Sequence, residues 1–325
     1  MEHRSYMRKC WHAYSSMILM VMATFCQPIS ATQYEVAEER YLTLLQTIPH
    51  DSNSFTQGLE DYRGDTIFES TGLLGHSGIK EIDLGTGEVI RQENINNSYF
   101  GEGITVVGDS IVMLTWKSEI ALIFDINNFS IKDSFTYQGE GWGICFNGHS
   151  LVMSNGSSQL SFRDPSSFEI RESITVTWDG EEVERLNELE CVDDKIYANV
   201  WGRDYIIAIN STTGATEFFV SAKSLSSVQG RTSNEVLNGI AFDHATGGFW
   251  ITGKNWTKMY LVNFNDSPPS LDNNQPDTSK EATVNEEPTM SLFQILVASL
   301  VIMVLFRVKP QQPPSSEEEI SEGAN

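Results

Sequence analysis

The chain has 325 residues, 40% of them hydrophobic, and a formal net charge of −23 at pH 7. This excess of carboxylates argues against nucleic acids and acidic lipid surfaces as partners. The length leaves room for one large domain or two small ones between the two ends of the chain.

Residues 1–31 have the pattern of a secretory signal peptide. Arg4, Arg8 and Lys9 form a basic start. A short apolar run, Met17 to Cys26, follows, and small residues offer a cleavage site near Ala31. A retained signal anchor is the alternative. Sequons for N-glycosylation support the interpretation as a secretory glycoprotein, and they lie at Asn96, Asn128, Asn155, Asn210, Asn255 and Asn265.

Five segments in the middle of the chain repeat one pattern. Each has a short apolar strand, a turn rich in Asp, Asn or Gly, and a second strand. The segments are "GLEDYRGDTIFESTG" from Gly58, "GITVVGDSIVMLTWK" from Gly103, "GICFNGHSLVMSNGS" from Gly143, "ELECVDDKIYANVWG" from Glu188 and "GIAFDHATGGFWITGKN" from Gly239. A third strand follows each copy, and a fourth follows most of them. Four short strands in every 40 to 50 residues are typical of a β-propeller blade.

The fold predicted for residues 32–265 is therefore all-β, a five-bladed β-propeller. No segment between residues 40 and 265 has the sustained periodicity of a helix. The segment "YEVAEERYLTLLQTIPHD" before the first copy is expected to pair with the last blade, so that the ring has no open edge. Asp83, Asp125, Asp164 and Asn210 occupy equivalent places where turns are expected to start.

Two cysteines, Cys145 and Cys191, remain once the signal is removed. An even number of cysteines in an oxidising compartment is compatible with a disulfide. Two buried free thiols are the alternative.

The end of the chain predicts a membrane anchor. A polar linker (266–289) leads to the uncharged stretch "MSLFQILVASLVIMVLF" (290–306), which is at the short limit for a transmembrane helix. Arg307 and Lys309 follow at once, as expected for a cytoplasmic flank, and the chain ends in an acidic disordered tail (307–325). These features predict a single-pass type I membrane protein of the secretory pathway, with the propeller on the lumenal or extracellular side.

Equivalent positions of the repeat predict a pocket on the propeller axis. The residues directly before the five copies are Gln57, Glu102, Trp142, Asn187 and Asn238, and the ends of the second strands carry Thr71, Trp116, Gly156, Trp201 and Lys254. Each of these residues alone also fits a bland role in a turn, between blades or on the surface. Together they predict a cavity with tryptophan walls, several amides, one carboxylate and one lysine.

Glu102 has an unusual local sequence, because it stands between Gly101 and Gly103 at the start of a strand. Flanking glycines allow the backbone to pass close to the axis, so the carboxylate is expected to point inward. Tryptophan walls would raise its pKa and Lys254 would lower it, and the sequence does not decide between the two effects.

At these residues the chain resembles the glutaminyl-peptide cyclotransferases of the plant and bacterial type, a family of five-bladed propellers. The resemblance runs from about residue 43 to 264, and its most specific stretches are "FTQGLE", "YFGEGIT", "LTWK", "GEGWG", "NELE", "NVWG" and "ITGKNW". It implies conversion of N-terminal glutamine of peptides or proteins to pyroglutamate, with release of ammonia. The C-terminal anchor departs from the soluble members that the resemblance leads us to expect.

The resemblance also implies roles for single residues. Glu102 matches the proton-transfer residue, which would move a proton from the α-amine to the leaving nitrogen. Lys254 and Asn187 match the other two polar groups of the site, and Lys254, with Gln57 or Asn187, is expected to stabilise the oxyanion. The substrate-binding residues implied are Phe55, Gln57, Phe100, Trp116, Trp142 and Trp201. The mechanism requires no cofactor or metal, and the sequence does not decide whether the protein binds a structural metal ion.

A propeller ectodomain that binds a peptide or protein partner without catalysis is the alternative function. A lactonase or dehydrogenase propeller would need inward metal carboxylates or a quinone site, and the sequence has neither. The protein is expected to be a monomer.

Overall fold

The computed structural model describes residues 36–229 and 235–268. The regular structure of these residues consists of strands β1 to β22 and one short helix, α1 (Lys223–Ser226), so the all-β prediction is confirmed. Within the described ranges, no helix is long and apolar enough to cross a bilayer. The predicted signal peptide, most of the linker, the transmembrane helix and the acidic tail lie outside these ranges.

The strands form five four-stranded units, which we number in chain order. Unit 1 contains β2 (Thr56–Tyr62), β3 (Thr66–Thr71), β4 (Gly78–Asp83) and β5 (Val89–Asn94). Unit 2 contains β6 (Gly101–Val107), β7 (Ser110–Thr115), β8 (Ile120–Asp125) and β9 (Ile131–Thr136). Unit 3 contains β10 (Ile144–Phe146), β11 (Leu151–Ser154), β12 (Gln159–Arg163) and β13 (Ile170–Thr175). Each predicted repeat copy supplies the first two strands of its unit.

Units 4 and 5 share one continuous sheet. Unit 4 contains β16 (Leu186–Val192), β17 (Lys195–Val200), β18 (Tyr205–Asn210) and β19 (Thr216–Ser221). Unit 5 contains β20 (Leu237–Asp243), β21 (Gly248–Gly253), β22 (Lys258–Asn265) and, as its fourth strand, β1 (Glu38–Pro49). A short hairpin between units 3 and 4, β14 (Thr177–Trp178) and β15 (Glu181–Glu182), was not predicted.

Strand β1 joins the start of the propeller sequence to its last unit. It pairs antiparallel with β22 over Tyr41 to Pro49, and its first residues pair parallel with β19. The predicted pairing of this segment with the last repeat is therefore confirmed. It gives unit 5 its fourth strand, next to β22.

The first strands of the units contact one another in a cycle, β2 to β6, β6 to β10, β10 to β16, β16 to β20 and β20 back to β2. The hydrophobic core follows the same cycle, since each buried cluster fills the space between two neighbouring units. The cluster between units 5 and 1, for example, packs Trp250 and Met259 against Ile67 and Ile82. The arrangement is consistent with a propeller-like fold.

Two local features support this cycle. Cys145 in β10 and Cys191 in β16 form a disulfide with a Cα–Cα distance of 5.5 Å, which links the first strands of units 3 and 4. The predicted disulfide is thus confirmed. The turn residues behave as expected too: the carboxylate of Asp83, for example, accepts hydrogen bonds from the backbone N–H groups of Gly85 and Thr86 at 2.9 and 2.7 Å.

Glu188 explains why one repeat copy starts without glycine. Its fully buried carboxylate accepts hydrogen bonds from Leu59 N at 3.0 Å and from Ile240 N at 3.2 Å. One side chain of unit 4 therefore ties the first strands of units 1 and 5. At the equivalent Gly143 no side chain fits, because a Cβ atom would meet the backbone of Asn187 and Glu188.

Candidate active site

One cavity of about 350 Å³ opens at the end of the units where their first strands begin. The structure brings together in its lining all nine catalytic and substrate-binding residues that the sequence analysis named. They are Phe55, Gln57, Phe100, Glu102, Trp116, Trp142, Asn187, Trp201 and Lys254.

The repeat explains how residues from all five units reach one cavity. Gln57, Glu102 and Asn187 lie at the starts of the first strands β2, β6 and β16. The other group follows the second strands: Trp116, Trp201 and Lys254 come directly after β7, β17 and β21. Strand starts and strand ends of antiparallel neighbours lie at the same edge of a sheet, so both groups face the same end of the units.

Glu102 points into the cavity and is only 5% exposed. Burial raises its pKa well above the ordinary value, the charge of Lys254 works in the opposite direction, and the charge of Glu140 adds to the increase. Burial therefore outweighs the lysine, which decides the question that the sequence leaves open. The flanking glycines act as expected, since a Cβ atom on Gly101 would meet the backbone of Thr71.

Gln57 holds one oxygen of the Glu102 carboxylate. Its Nε2 donates to Glu102 Oε1 at 3.2 Å. The orientation of the Gln57 amide is set by Asn238, whose Nδ2 donates to Gln57 Oε1 at 3.4 Å and to the backbone oxygen of Thr56 at 3.0 Å. Asn238 is fully buried and lies outside the cavity lining. Its position in the repeat predicted that Asn238 would line the pocket. In the structure it does not line the pocket and instead supports Gln57 from behind.

Two other members of the predicted rings lie outside the lining. Thr71 is buried at the end of β3, where its hydroxyl faces the backbone oxygen of His76. Gly156, with φ of +83°, lies directly behind the indole of Trp142, and a Cβ atom there would clash with the ring. Only glycine combines this backbone angle with such a close approach, so Gly156 fixes the place of one cavity wall.

Lys254 is also 5% exposed, and its Nζ lies 4.7 Å from the centroid of the Phe55 ring. Burial lowers its pKa to about 8, against the opposing effect of the Glu102 charge. The contact with the ring face supplies part of the stabilisation that a buried ammonium group needs.

Asn187 has an unsatisfied hydrogen-bond acceptor. The residue is only 2% exposed, and its Oδ1 has no hydrogen-bond partner within the described part of the chain. A buried amide oxygen without a donor is unfavourable by about 1–3 kcal/mol. Since Asn187 lines the cavity, a bound molecule with an N–H group would satisfy it.

Aromatic rings form the remaining walls in two runs. Phe55 packs edge-on against Phe100 at 6.2 Å between centroids, and Phe100 contacts Trp116 at 5.6 Å. Trp142 and Trp201 form the second run at 6.3 Å. Trp201 is 42% exposed and marks the mouth. The site thus combines a buried carboxylate, a buried amine and a free amide oxygen inside an apolar wall.

Sequence analysis missed Glu140 as part of this site. The stretch "GEGWG" contributed to the family resemblance without a role for its glutamate, yet this glutamate accepts hydrogen bonds from the indoles of both Trp116 and Trp142. The signal was present, because "GEG" at 139–141 repeats the local pattern around Glu102.

Known proteins of one family are similar to this chain. The family model for glutamine cyclotransferase matches residues 16–264. The glutaminyl-peptide cyclotransferase of Arabidopsis thaliana is 36% identical over 225 residues, which are 68% of this chain and 70% of that protein. The crystal structure of the Myxococcus xanthus glutaminyl cyclase superposes with a TM-score of 0.66 at 31% identity, covering 70% of this chain and 98% of that chain. The chain therefore belongs to the glutamine cyclotransferase family of transferases.

Proposed function

We propose that this protein cyclises the N-terminal glutamine of peptides or proteins to pyroglutamate and releases ammonia. The observation that carries the proposal is the cavity in which Glu102, Lys254 and the free oxygen of Asn187 are enclosed by aromatic walls. The names of the two relatives, a glutaminyl-peptide cyclotransferase and a glutaminyl cyclase, describe cyclisation of glutamine as well. The cavity volume of about 350 Å³ suits the terminal residue of a peptide. The exposed Trp201 lies at the mouth of the cavity, so the rest of the peptide would lie outside, in the solvent.

Glu102 is the proposed proton carrier. The neutral α-amine attacks the side-chain amide carbon, so the new N–C bond closes a five-membered lactam. The Glu102 carboxylate takes one proton from the attacking nitrogen and returns it to the amide nitrogen. The old C–N bond then breaks and ammonia leaves. Gln57 holds one carboxylate oxygen at 3.2 Å, which leaves the other free for the transfer.

Lys254 and Asn187 complete the proposed mechanism. As the amine attacks, negative charge develops on the amide oxygen, and the ammonium group of Lys254 is the cation of the cavity lining that can stabilise it. Asn187 Oδ1 accepts from the α-amine or from the leaving amide. The aromatic walls hold the glutaminyl side chain folded toward its own amine, and this proximity supplies a large part of the rate gain.

The finer features of the architecture are proposals of the same kind. We infer that the five units are the blades of a closed five-bladed propeller, which is supported by the cycle of contacts among the first strands. We also infer a secretory protein with a signal peptide at 1–31 and an anchor at 290–306. The disulfide supports an oxidising compartment, because such bonds are rare in the cytosol.

Incubation of the full-length protein with a glutaminyl peptide tests the activity. We expect release of ammonia and a product peptide whose mass is lower by that of one ammonia molecule, even in the presence of a chelator. The matched control is the same peptide with an acetylated α-amine, which cannot attack and should stay unchanged. Binding of the free-amine peptide without any ammonia at several pH values would favour the non-catalytic ectodomain instead.

A further inference from the structure

Glu140 connects two tryptophan walls of the cavity. Its Oε2 accepts hydrogen bonds from Trp116 Nε1 at 2.7 Å and from Trp142 Nε1 at 3.0 Å. The two indoles come from different units, Trp116 after β7 of unit 2 and Trp142 before β10 of unit 3. One carboxylate oxygen therefore sets the relation between side chains that the backbone places separately.

This connection also joins the two aromatic runs. Phe55, Phe100 and Trp116 form one run, and Trp142 and Trp201 form the other. Glu140 lies between their inner ends and bonds to both. The two hydrogen bonds therefore span the gap between the two runs.

The backbone around Glu140 is built to hold it. Gly139 has φ of +86°, and its N–H donates to the Glu119 carboxylate at 2.8 Å. Gly141 N donates to the backbone oxygen of Trp116 at 3.0 Å. A Cβ atom on Gly141 would meet the hydroxyl of Tyr137, so the chain passes there as glycine. These contacts place the segment against the same tryptophan that its side chain holds.

Glu140 stays ionised in this position. Its side chain is 37% exposed; burial raises its pKa, but the hydrogen bonds from Trp142 and Trp116 and the charge of Lys117 together lower it. Lys117 Nζ lies 3.5 Å from Glu140 Oε1 and 4.0 Å from the centroid of the Trp116 ring. A charged acceptor makes the stronger hydrogen bond to an indole.

We propose that Glu140 is a positioning residue, which fixes the spacing of Trp116 and Trp142 and so keeps the glutaminyl side chain folded for attack. The inference rests on the proposed function. It assigns no chemical step to Glu140, whose carboxylate is occupied by the two indoles and Lys117. Its effect on the reaction passes through the walls.

Three variants of the full-length protein test the proposal. Glu140→Ala removes the acceptor, and we expect kcat/KM to fall about 30- to 100-fold, the scale of a misplaced substrate. Glu140→Gln keeps one carbonyl oxygen for the indoles, and we expect activity within about threefold of the unchanged protein. Glu88→Ala, which removes an exposed glutamate from the turn before β5, is the matched control and should change activity by less than about twofold.

Near-ultraviolet circular dichroism and tryptophan fluorescence provide a readout that needs no turnover. The Ala variant should change both signals, and the Gln variant should retain them. The Gln variant should also move the acidic limb of the pH profile to lower pH, because it removes the Glu140 charge that raises the pKa of Glu102. If Glu140→Ala does not fold, Glu140→Leu removes the acceptor while keeping the side-chain volume.

Two results overturn the proposal. In the first, Glu140→Ala or Glu140→Leu has unchanged spectra and a kcat/KM within about twofold of the unchanged protein; in the second, Glu140→Gln loses as much activity as Glu140→Ala. The second result would mean that charge, and not the indole contacts, matters. Absence of ammonia with the unchanged protein would refute the proposed function. The spectra of the variants would still decide whether Glu140 holds the tryptophans.

Discussion

Glu102 and Lys254 line one cavity, and the charge of each opposes what burial does to the other. Both are 5% exposed. Burial raises the pKa of Glu102 well above its ordinary value and lowers that of Lys254 to about 8. Burial therefore favours the neutral form of each group, and the charge of its neighbour favours the ionised form. A raised pKa suits a carboxylate that has to accept a proton and return it near neutral pH.

The pH dependence of kcat/KM should be bell-shaped. Glu102 must be ionised to accept the proton, so activity should rise with pH along an acidic limb well above pH 4.5. Lys254 must be charged to stabilise the oxyanion, so activity should fall as pH rises through about 8. Initial rates of ammonia release across this range measure both limbs.

Lys254→Arg is the matched variant for the alkaline limb. A guanidinium group keeps its charge over the whole range, so the fall near pH 8 should disappear or move upward by more than about one unit, whatever the cost in rate. An alkaline limb that stays in place would assign it to a group other than Lys254.

Glu102→Gln should abolish turnover. The amide has the shape of the carboxylate but cannot take up a proton, and we expect a loss of at least about 10³-fold, since the proposed reaction uses this one group for two proton transfers. Ammonia release and near-ultraviolet circular dichroism of the same sample separate lost chemistry from lost fold. Retained activity would mean that another group carries the proton.

Asn187→Ala should separate function from stability. Its free Oδ1 is available to substrate, so removing it should lower kcat/KM about 10- to 100-fold, as expected for a lost hydrogen bond in a buried site. The melting temperature should stay the same or rise, because an unsatisfied oxygen does not stabilise the free protein. Asn238→Ala is the informative contrast. Its Nδ2 bonds to Thr56 and Gln57, so both activity and stability should fall.

The repeat made seven of the nine cavity residues predictable, because a fixed period places equivalent residues at equivalent places in each unit, whereas Phe55 and Phe100 were implied by the family resemblance alone. Gln57, Glu102 and Asn187 could be found from their shared position before a repeat copy, without knowledge of any contact. The pairing of β1 with β22 was predictable for a similar reason, since an open sheet edge is unfavourable.

What the period could not predict depends on distances between side chains. Asn238 occupies a ring position but supports Gln57, and only the direction of its amide distinguishes the two roles. The pKa of Glu102 reflects a competition between burial and Lys254, which needs the geometry. Glu140 lies outside both rings, in the connection between units 2 and 3, so only its local "GEG" pattern, and not its position in the repeat, could have identified it.

Glu188 lies next to the Glu60 and Glu190 carboxylates, within the cycle of first strands. Burial raises its pKa well above the ordinary 4.5, the hydrogen bonds from Leu59 N and Ile240 N lower it, and the charge of Glu60 raises it further. The folded protein therefore holds a proton that the unfolded chain has released. The free energy of unfolding should fall as pH rises above about 4.5, by up to about 1.4 kcal/mol per pH unit for each such group.

Glu188→Gln tests this dependence. Glutamine keeps one acceptor oxygen and loses the other, so the variant should be less stable than the unchanged protein at pH 5. This difference in stability between the two proteins should shrink or change sign by pH 8. The unchanged protein loses stability as pH rises because Glu188 has to stay protonated or be ionised while buried, whereas glutamine does not titrate. Denaturant unfolding at several pH values measures the slope. Curves that stay parallel from pH 5 to pH 8 would show that Glu188 has the same proton affinity in the folded and unfolded chain, and that its two backbone hydrogen bonds offset its burial.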